Sequence, residues 1–299
     1  MRSRGPWRQA AGRFRRQSIG VAALAVLLLL CAIGILAPLL APYPAGRLFI
    51  ELIQKPQPPL TAHHLLGTDV LSRDFLTQLL FAIRETLTSA FVCVACATVA
   101  GVVVGAAAAY SGGWFDALIT WATGAIVAVP ALAVLIIVSV WAREPPTPLT
   151  YGLWLGALLW TTVARVVRAS VASLQAHEYV EAAYAAGASR LRVLRRHLLP
   201  NAAGAVIVAA TTVVGQSIAV LATADYLYYA YNQADKPTLG GLVADATHSS
   251  SLTLTHSDSL GPLWWLYVFP AAILVVLLLA VSFLGDSLDE ALNPQQTRR

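Results

Sequence analysis

Six long apolar runs decide what this chain can become. They span Ile19–Leu40, Thr86–Tyr110, Ala117–Trp141, Pro148–Ala164, Ala202–Ala224 and Pro262–Leu284. Each is long enough, or nearly so, to cross about 30 Å of hydrocarbon at about 1.5 Å per residue. In lipid every backbone N–H and C=O must find its partner within the protein, and a helix satisfies them within one segment. The expected fold is all-α: a polytopic membrane protein of six transmembrane helices. Residues 1–18 form a basic flank and residues 19–299 a single transmembrane domain.

Composition agrees. Of 299 residues, 58% are hydrophobic and only 12% charged, which excludes an ordinary soluble domain. The net charge of +5 comes from basic clusters at the ends of apolar runs. A nucleic-acid partner calls for a basic, aromatic-rich patch on a soluble fold, and none is present. Six spans put both termini on one side. Fourteen basic residues then fall on that side and six on the other, which makes it cytoplasmic. The six arginines before Gln17 suit a flank lying on anionic membrane lipid. The first run lacks a small-residue cleavage site and reads as an anchor. Cys93 and Cys96 form a CxxC within an apolar run with no His or acid beside them, so they read as small buried residues, and no metal is assigned.

Two helix-packing patterns stand out. Ala97, Gly101, Gly105 and Ala109 recur every four residues, and Gly152 and Gly156 form a GxxxG. Both place small residues on one face, where another helix can approach closely. Pro130 predicts a kink in the third span.

The most polar long segment between two apolar runs is Glu178–Asn201, in the loop region 175–200. An Ala-rich helix over 175–186 is followed by Gly187, suited to the left-handed residue after a helix. Ser189 fits the N-cap of a second short helix that carries Leu191, Leu194 and Leu198 on one face and is ended by Pro200.

The pattern Glu181-Ala182-Ala183, three residues, Gly187, then Leu199-Pro200 resembles the EAA loop of ABC importer permeases. Its flanks look like the C-type subunit of dipeptide and oligopeptide (and nickel) importers. His64 to Asp69 with Arg73-Asp74 resembles the GTD…RD signature of the same branch, although Gln78 stands where an arginine is common. Ser111 to Asp116 resembles its GGW-D turn, although Trp121-Ala122-Thr123 replaces a usual Arg and Asp. The tail from Gly285 to Pro294 resembles its closing helix. The resemblance implies a bacterial plasma-membrane permease without catalytic residues or cofactor. Glu181, Ala182, Ala183, Gly187 and Pro200 would form the element seated on a cytoplasmic ATPase. The implied partners are a homologous B-type permease, two ATPase subunits and an extracytoplasmic binding protein.

The residues themselves agree that the energy source lies elsewhere. No G-x-x-x-x-G-K-[ST] loop is present, and the spans hold almost no ionisable groups at depth of the kind proton- or sodium-driven carriers use. The substrate stays open between peptides and nickel or another small solute. A membrane lipid enzyme built on His63, His64, Asp69 and Asp74 is the alternative from another class, but local capping and salt bridging on an exposed loop explains those groups more simply. The polar connection 225–261 carries Tyr226, Tyr228, Tyr229 and Tyr231. These either line a pathway mouth or contact the binding protein, or they form an interfacial aromatic belt.

Overall fold

The computed structural model describes residues 6–44, 56–61, 64–142, 147–227, 236–253 and 263–292. Among these, all regular structure is helical apart from two isolated bridges in the loop before residue 75. The helices are α1 (Pro6–Phe14), α2 (Ser18–Leu40), α3 (Phe75–Ser111), α4 (Gly113–Ala128), α5 (Ala131–Trp141), α6 (Pro148–Gln175), α7 (Glu178–Ala185), α8 (Arg190–Val193), α9 (Leu199–Leu227), α10 (Leu239–Thr253) and α11 (Trp264–Leu292). Between α8 and α9 lies a π-helical turn, Leu194–Leu198.

Five helical segments are long and apolar enough to cross a membrane: α2, α3, α6, the continuous Arg190–Leu227 rod, and α11. The pair α4 and α5 passes the same test only when taken together, as one broken span bent by 73°. The expected kink at Pro130 is therefore a full break. Pro130 has no N–H to continue the ladder and pushes Val129 into extended geometry (φ −82°, ψ 125°). Several helices also outrun the apolar runs. α3 begins eleven residues before Thr86, and α6 continues eleven past Ala164. Hydropathy marks the lipid-matched part of a helix and does not mark its ends.

The centre of the bundle is the pair α3 and α6, which run parallel: Gly152 lies beside Ser89, Gly156 beside Cys96, and Gly105 beside Val167. An added Cβ at Gly101 would lie 2.5 Å from Val163 Cβ and 2.8 Å from the Trp160 carbonyl, and one at Gly156 would lie 2.7 Å from Cys96 Cβ. Gly152 meets Ser89 and Val92 in the same way. Both small-residue patterns thus lie in one interface, each supplying the flat surface for the other. Lipid tails are as apolar as leucine, so close packing must hold such helices together. Leu155, Val163, Val167 and Val171 of α6 are fully buried here, as is Cys93 of α3. The three cysteines are free thiols, and no cluster of three or more metal-ligating side chains exists among the described residues.

The bundle has two distinct ends. At one, Gln175 Nε2 donates to the Ala109 carbonyl (3.2 Å), Gly204 sits against Leu292, and Arg13 donates to the Ala291 carbonyl (3.4 Å). At the other, Trp265 Nε1 donates to the Thr68 carbonyl (3.3 Å), and Leu239 N–H donates to Thr86 Oγ1 (3.1 Å). The connection 225–261 is not wholly a polar loop. Asp225 is buried in the last turn of α9, reaching Thr238 and Tyr151, and α10 packs its buried Leu239, Leu242 and Ala246 into the core.

The interface makes a testable distinction between glycines. Gly105→Leu would drive a side chain into Ala164 and Val167, whose carbonyl oxygen and Cβ would lie 2.4 and 3.0 Å from an added Cβ. It should cost about 1–3 kcal/mol. Gly124→Ala, with nothing within 4 Å of the new methyl, should cost nothing measurable. Thermal unfolding of the two variants in detergent checks the contrast.

Candidate functional site: an exposed helical elbow

The end of α6 turns through Ala176 and His177 into α7, and α7 turns at Gly187 into α8. Gly187 has φ +79°, the left-handed conformation that its position after an Ala-rich helix predicts. The closure is a full Schellman motif. Gly187 N–H donates to the Tyr184 carbonyl (2.9 Å) and Ala188 N–H to the Ala183 carbonyl (3.0 Å), with Ala183 and Ala188 both packed on the core. Glu178 and Glu181 occupy the first turn of α7, where the helix dipole favours negative charge. No cofactor or metal is called for by these groups.

The elbow has an inner and an outer side. Val180, Val193, Leu194 and Leu198 are buried against the bundle. Tyr179, Glu181, Ala182, Tyr184, Gly187, Arg190 and Leu191 are exposed. Glu181 has no hydrogen-bond or ionic partner among the described residues, so its carboxylate points outward fully available.

Three local expectations need correction. Leu191 shares the one-face spacing of the buried Leu194 and Leu198, yet it is 52% exposed. Ser189 sits at the N-cap of α8, but its side chain makes no capping bond. Pro200 does not end a helix. The rod runs unbroken from Arg190 to Leu227, and the π turn lies directly before the proline. Pro200 lacks the N–H that an α turn would send to the Arg196 carbonyl. The chain widens instead, and Leu199 N–H reaches back to the Leu194 carbonyl. The extra residue in the turn leaves Leu194 and Leu198 inside and Arg195 and Arg196 outside.

The elbow is anchored where sequence gave no local warning. Arg168 of α6 makes a bidentate ion pair with Asp116 of α4, its Nη2 lying 2.5 Å from Oδ2. The two residues are 52 positions apart, so only the fold joins them. Bidentate guanidinium–carboxylate geometry fixes orientation as well as distance. It holds the Gly112-Gly113 turn against the helix that leads into the elbow.

The opposite end holds the second group of polar residues. His64, Asp69, Arg73, Asp74 and Gln78 are all buried, contrary to the expectation of an exposed loop. Asp69 accepts from Leu71 N–H (3.0 Å), Arg73 N–H (2.7 Å), Arg73 Nε (2.6 Å) and Gln78 Nε2 (2.8 Å). Asp74 caps α3 by accepting from Thr77 N–H and Oγ1, and lies 2.8 Å from His64 Nδ1. Arg73 also reaches Asp245 of α10 at 3.6 Å. The capping and salt bridging foreseen for these groups is what they do. Carboxylates saturated this way are a brace, poorly placed to act as acids, bases or ligands. Gln78 fills the place of a commoner arginine by donating its amide to Asp69. His63 lies outside the described residues. So do Tyr228, Tyr229 and Tyr231, while Tyr226 lies in the last turn of α9 and is 40% exposed.

The described residues thus form a bundle of membrane-length helices with an exposed polar elbow at one end. Residues 99–298 match the family model for the inner-membrane component of binding-protein-dependent transport systems. Residues 5–59 match that for the N-terminal transmembrane domain of oligopeptide transport permease C. The chain belongs to this family of inner-membrane permeases. It is 32% identical over 283 residues to the oligopeptide transport system permease protein OppC of Mycobacterium bovis, covering 94% of this chain and 92% of that one. The dipeptide transport system permease protein DppC of Bacillus subtilis is 29% identical, with 96% and 85% covered. A putative peptide transport system permease protein of Brucella suis is 30% identical, with 90% and 86% covered. Family membership makes this chain the membrane component of an importer whose ATPase and substrate-binding protein are separate subunits.

The brace predicts its own failure mode. Asp69→Ala leaves the buried Arg73 with only Asp245 at 3.6 Å and the Gln78 amide without its acceptor, and should cost about 3–5 kcal/mol. Asp69→Asn keeps an acceptor and should cost less. Detergent unfolding midpoints of the two variants should rank in that order.

Proposed function

We propose that this chain imports peptides as the C-type half of a heterodimeric permease, and that the elbow couples it to ATP hydrolysis. The observation that carries the coupling is the Schellman-closed turn at Gly187, which presents an unpartnered Glu181 on a rigid, exposed surface. Glu181, Ala182, Ala183 and Gly187 form the contact with a cytoplasmic ATPase. Glu181 supplies a charge-assisted hydrogen bond, and the small alanines admit a cleft wall. Pro200 sets the π turn that carries the elbow's motion into the Arg190–Leu227 rod. A B-type permease completes the pathway, two ATPases drive it, and an extracytoplasmic binding protein delivers the peptide. The names of the relatives support peptides as the cargo. The tyrosine-rich segment from Tyr226 through Tyr228, Tyr229 and Tyr231 meets the binding protein or the entering peptide, a role that suits broad apolar rings tipped with a hydroxyl.

The orientation follows from charge. α1, the elbow and the end of α11 share one end of the bundle. That end carries most of the fourteen basic residues, so it faces the cytoplasm, with both termini there and the brace outside.

Gly187→Val forces a β-branched residue into φ +79° and should strain the turn by about 1–2 kcal/mol. Peptide uptake should fall sharply while the amount of inserted protein is kept. Glu181→Ala should reduce the ATPase recovered with the purified permease. Normal uptake together with normal ATPase recovery would remove the coupling role.

For the orientation, single cysteines replace Ser189 or Leu65 after the native cysteines are removed. An impermeant thiol reagent on intact cells should label position 65 and spare 189. The opposite pattern inverts the topology.

A further inference from the structure

A groove that carries polar side chains lies within the membrane-spanning region. Between α9 and α11 lies a groove of about 480 Å³ lined in part by Thr211, Thr212, Gln216, Ser282, Asp286 and Asp289. The helices run antiparallel along it, with Gly215 beside Val281 and Gly285 beside Thr211. Thr212, Gln216 and Ser282 are exposed, and all three belong to membrane-length helices.

Gln216 is the informative residue. It lies well inside the apolar run 202–224, and its primary amide has no partner among the described residues. A primary amide turned toward hydrocarbon loses its hydrogen bonds to water and gains nothing in return. The threonines nearby quiet their donors locally: Thr211 Oγ1 donates to the Val208 carbonyl at 2.8 Å and Thr212 Oγ1 to the same carbonyl at 3.2 Å. Gln216 has no such outlet. α2, by contrast, turns Leu28, Leu29, Ile35 and Leu39 outward and carries no charged residue. The chain therefore has one surface made for lipid and one that is not.

We infer that the α9–α11 groove is a water-lined wall of the solute pathway, with Gln216, Thr212 and Ser282 as hydrogen-bonding contacts for a peptide backbone and the exposed Asp286 as an acidic rim that favours cationic side chains. The inference rests on the transport reading above. A neutral amide and hydroxyls suit a cargo that must bind and leave again, because an amide exchanges hydrogen bonds with water at little net gain. The rim lies toward the elbow end, where arginines otherwise dominate, so Asp286 gives a cationic side chain on the wall a local carboxylate to pass.

The test uses the assembled transporter in vesicles, with native cysteines replaced and single cysteines placed at Thr212, Gln216 or Ser282. Leu28→Cys on α2 is the lipid-facing reference. A small water-soluble thiol reagent should react at the three groove positions at least about ten times faster than at position 28. Rates no faster than at position 28 overturn the wall. So does labelling at position 216 that is slow in the assembled transporter but fast in the separated permease, which would make the groove a subunit interface. For the rim, Asp286→Lys should lower uptake of a lysine-bearing tripeptide about tenfold relative to a glutamate-bearing one. Asp286→Asn, a milder change, should move the ratio in the same direction. An unchanged ratio in both overturns the rim. Labelling needs no transported peptide, so a failure of the peptide reading leaves the labelling rates intact. A failure of the groove shows as slow labelling with uptake preserved.

Discussion

The near-contact of the α3 and α6 backbones is what the remaining structure depends on. Gly101, Gly105, Gly152 and Gly156 remove the side chains that would hold the two helices apart. The resulting pair runs the length of the molecule and carries a polar assembly at each end. The Asp74 cap and the Asp69–Arg73 pair sit at the start of α3, while Gln175 at the end of α6 is tied back to Ala109. Interiors packed this closely deform little and move as units. A displacement imposed at the elbow is thus borne by a rod and not absorbed by a spring.

The elbow is rigid for the same reason. Gly187 gives a sharp change of direction, and the Schellman bonds remove the slack a glycine would otherwise bring. The Arg168–Asp116 pair fixes the helix that leads into the turn, and the π turn fixes the helix that leaves it. Each device is local, and each acts on a different segment. Their combined effect is that Glu181 and its neighbours keep one position relative to α6 and α9.

Much of this was legible in the chain itself. The apolar runs gave every membrane-length segment, because lipid leaves the backbone no alternative to helix. The small-residue spacings gave the faces of α3 and α6, though not that they meet each other. The EAA pattern and Gly187 gave the elbow and its left-handed turn. What stayed hidden was long-range or compensated. Asp116 and Arg168 are paired only by the fold. Leu191 has the spacing of a core residue but lies on the outer side of the turn. Pro200 has the marks of a helix end, because proline lacks the N–H an α turn needs, whereas the π turn before it absorbs that loss. The helix α10 escaped notice because its Gly-, Ser- and Thr-rich sequence has weak helix propensity, and packing on α9 and α11 makes up the difference.

The brace at the other end has a consequence for biogenesis. The loop carrying Thr68 and Asp69 is synthesised early, but its partners are not. Trp265 follows Thr68 by 197 residues, and Asp245 arrives almost as late. Chains emerge at about 5–20 residues per second, so the buried charges around Arg73 wait in an incomplete setting while four further passes are made. The carboxylates of Asp69 and Asp74, which draw bonds from their own loop and from the start of α3, satisfy that loop from within during the interval. Late arrival of α10 and α11 then seals a preformed unit, and the last helices to be made are the ones that close the first.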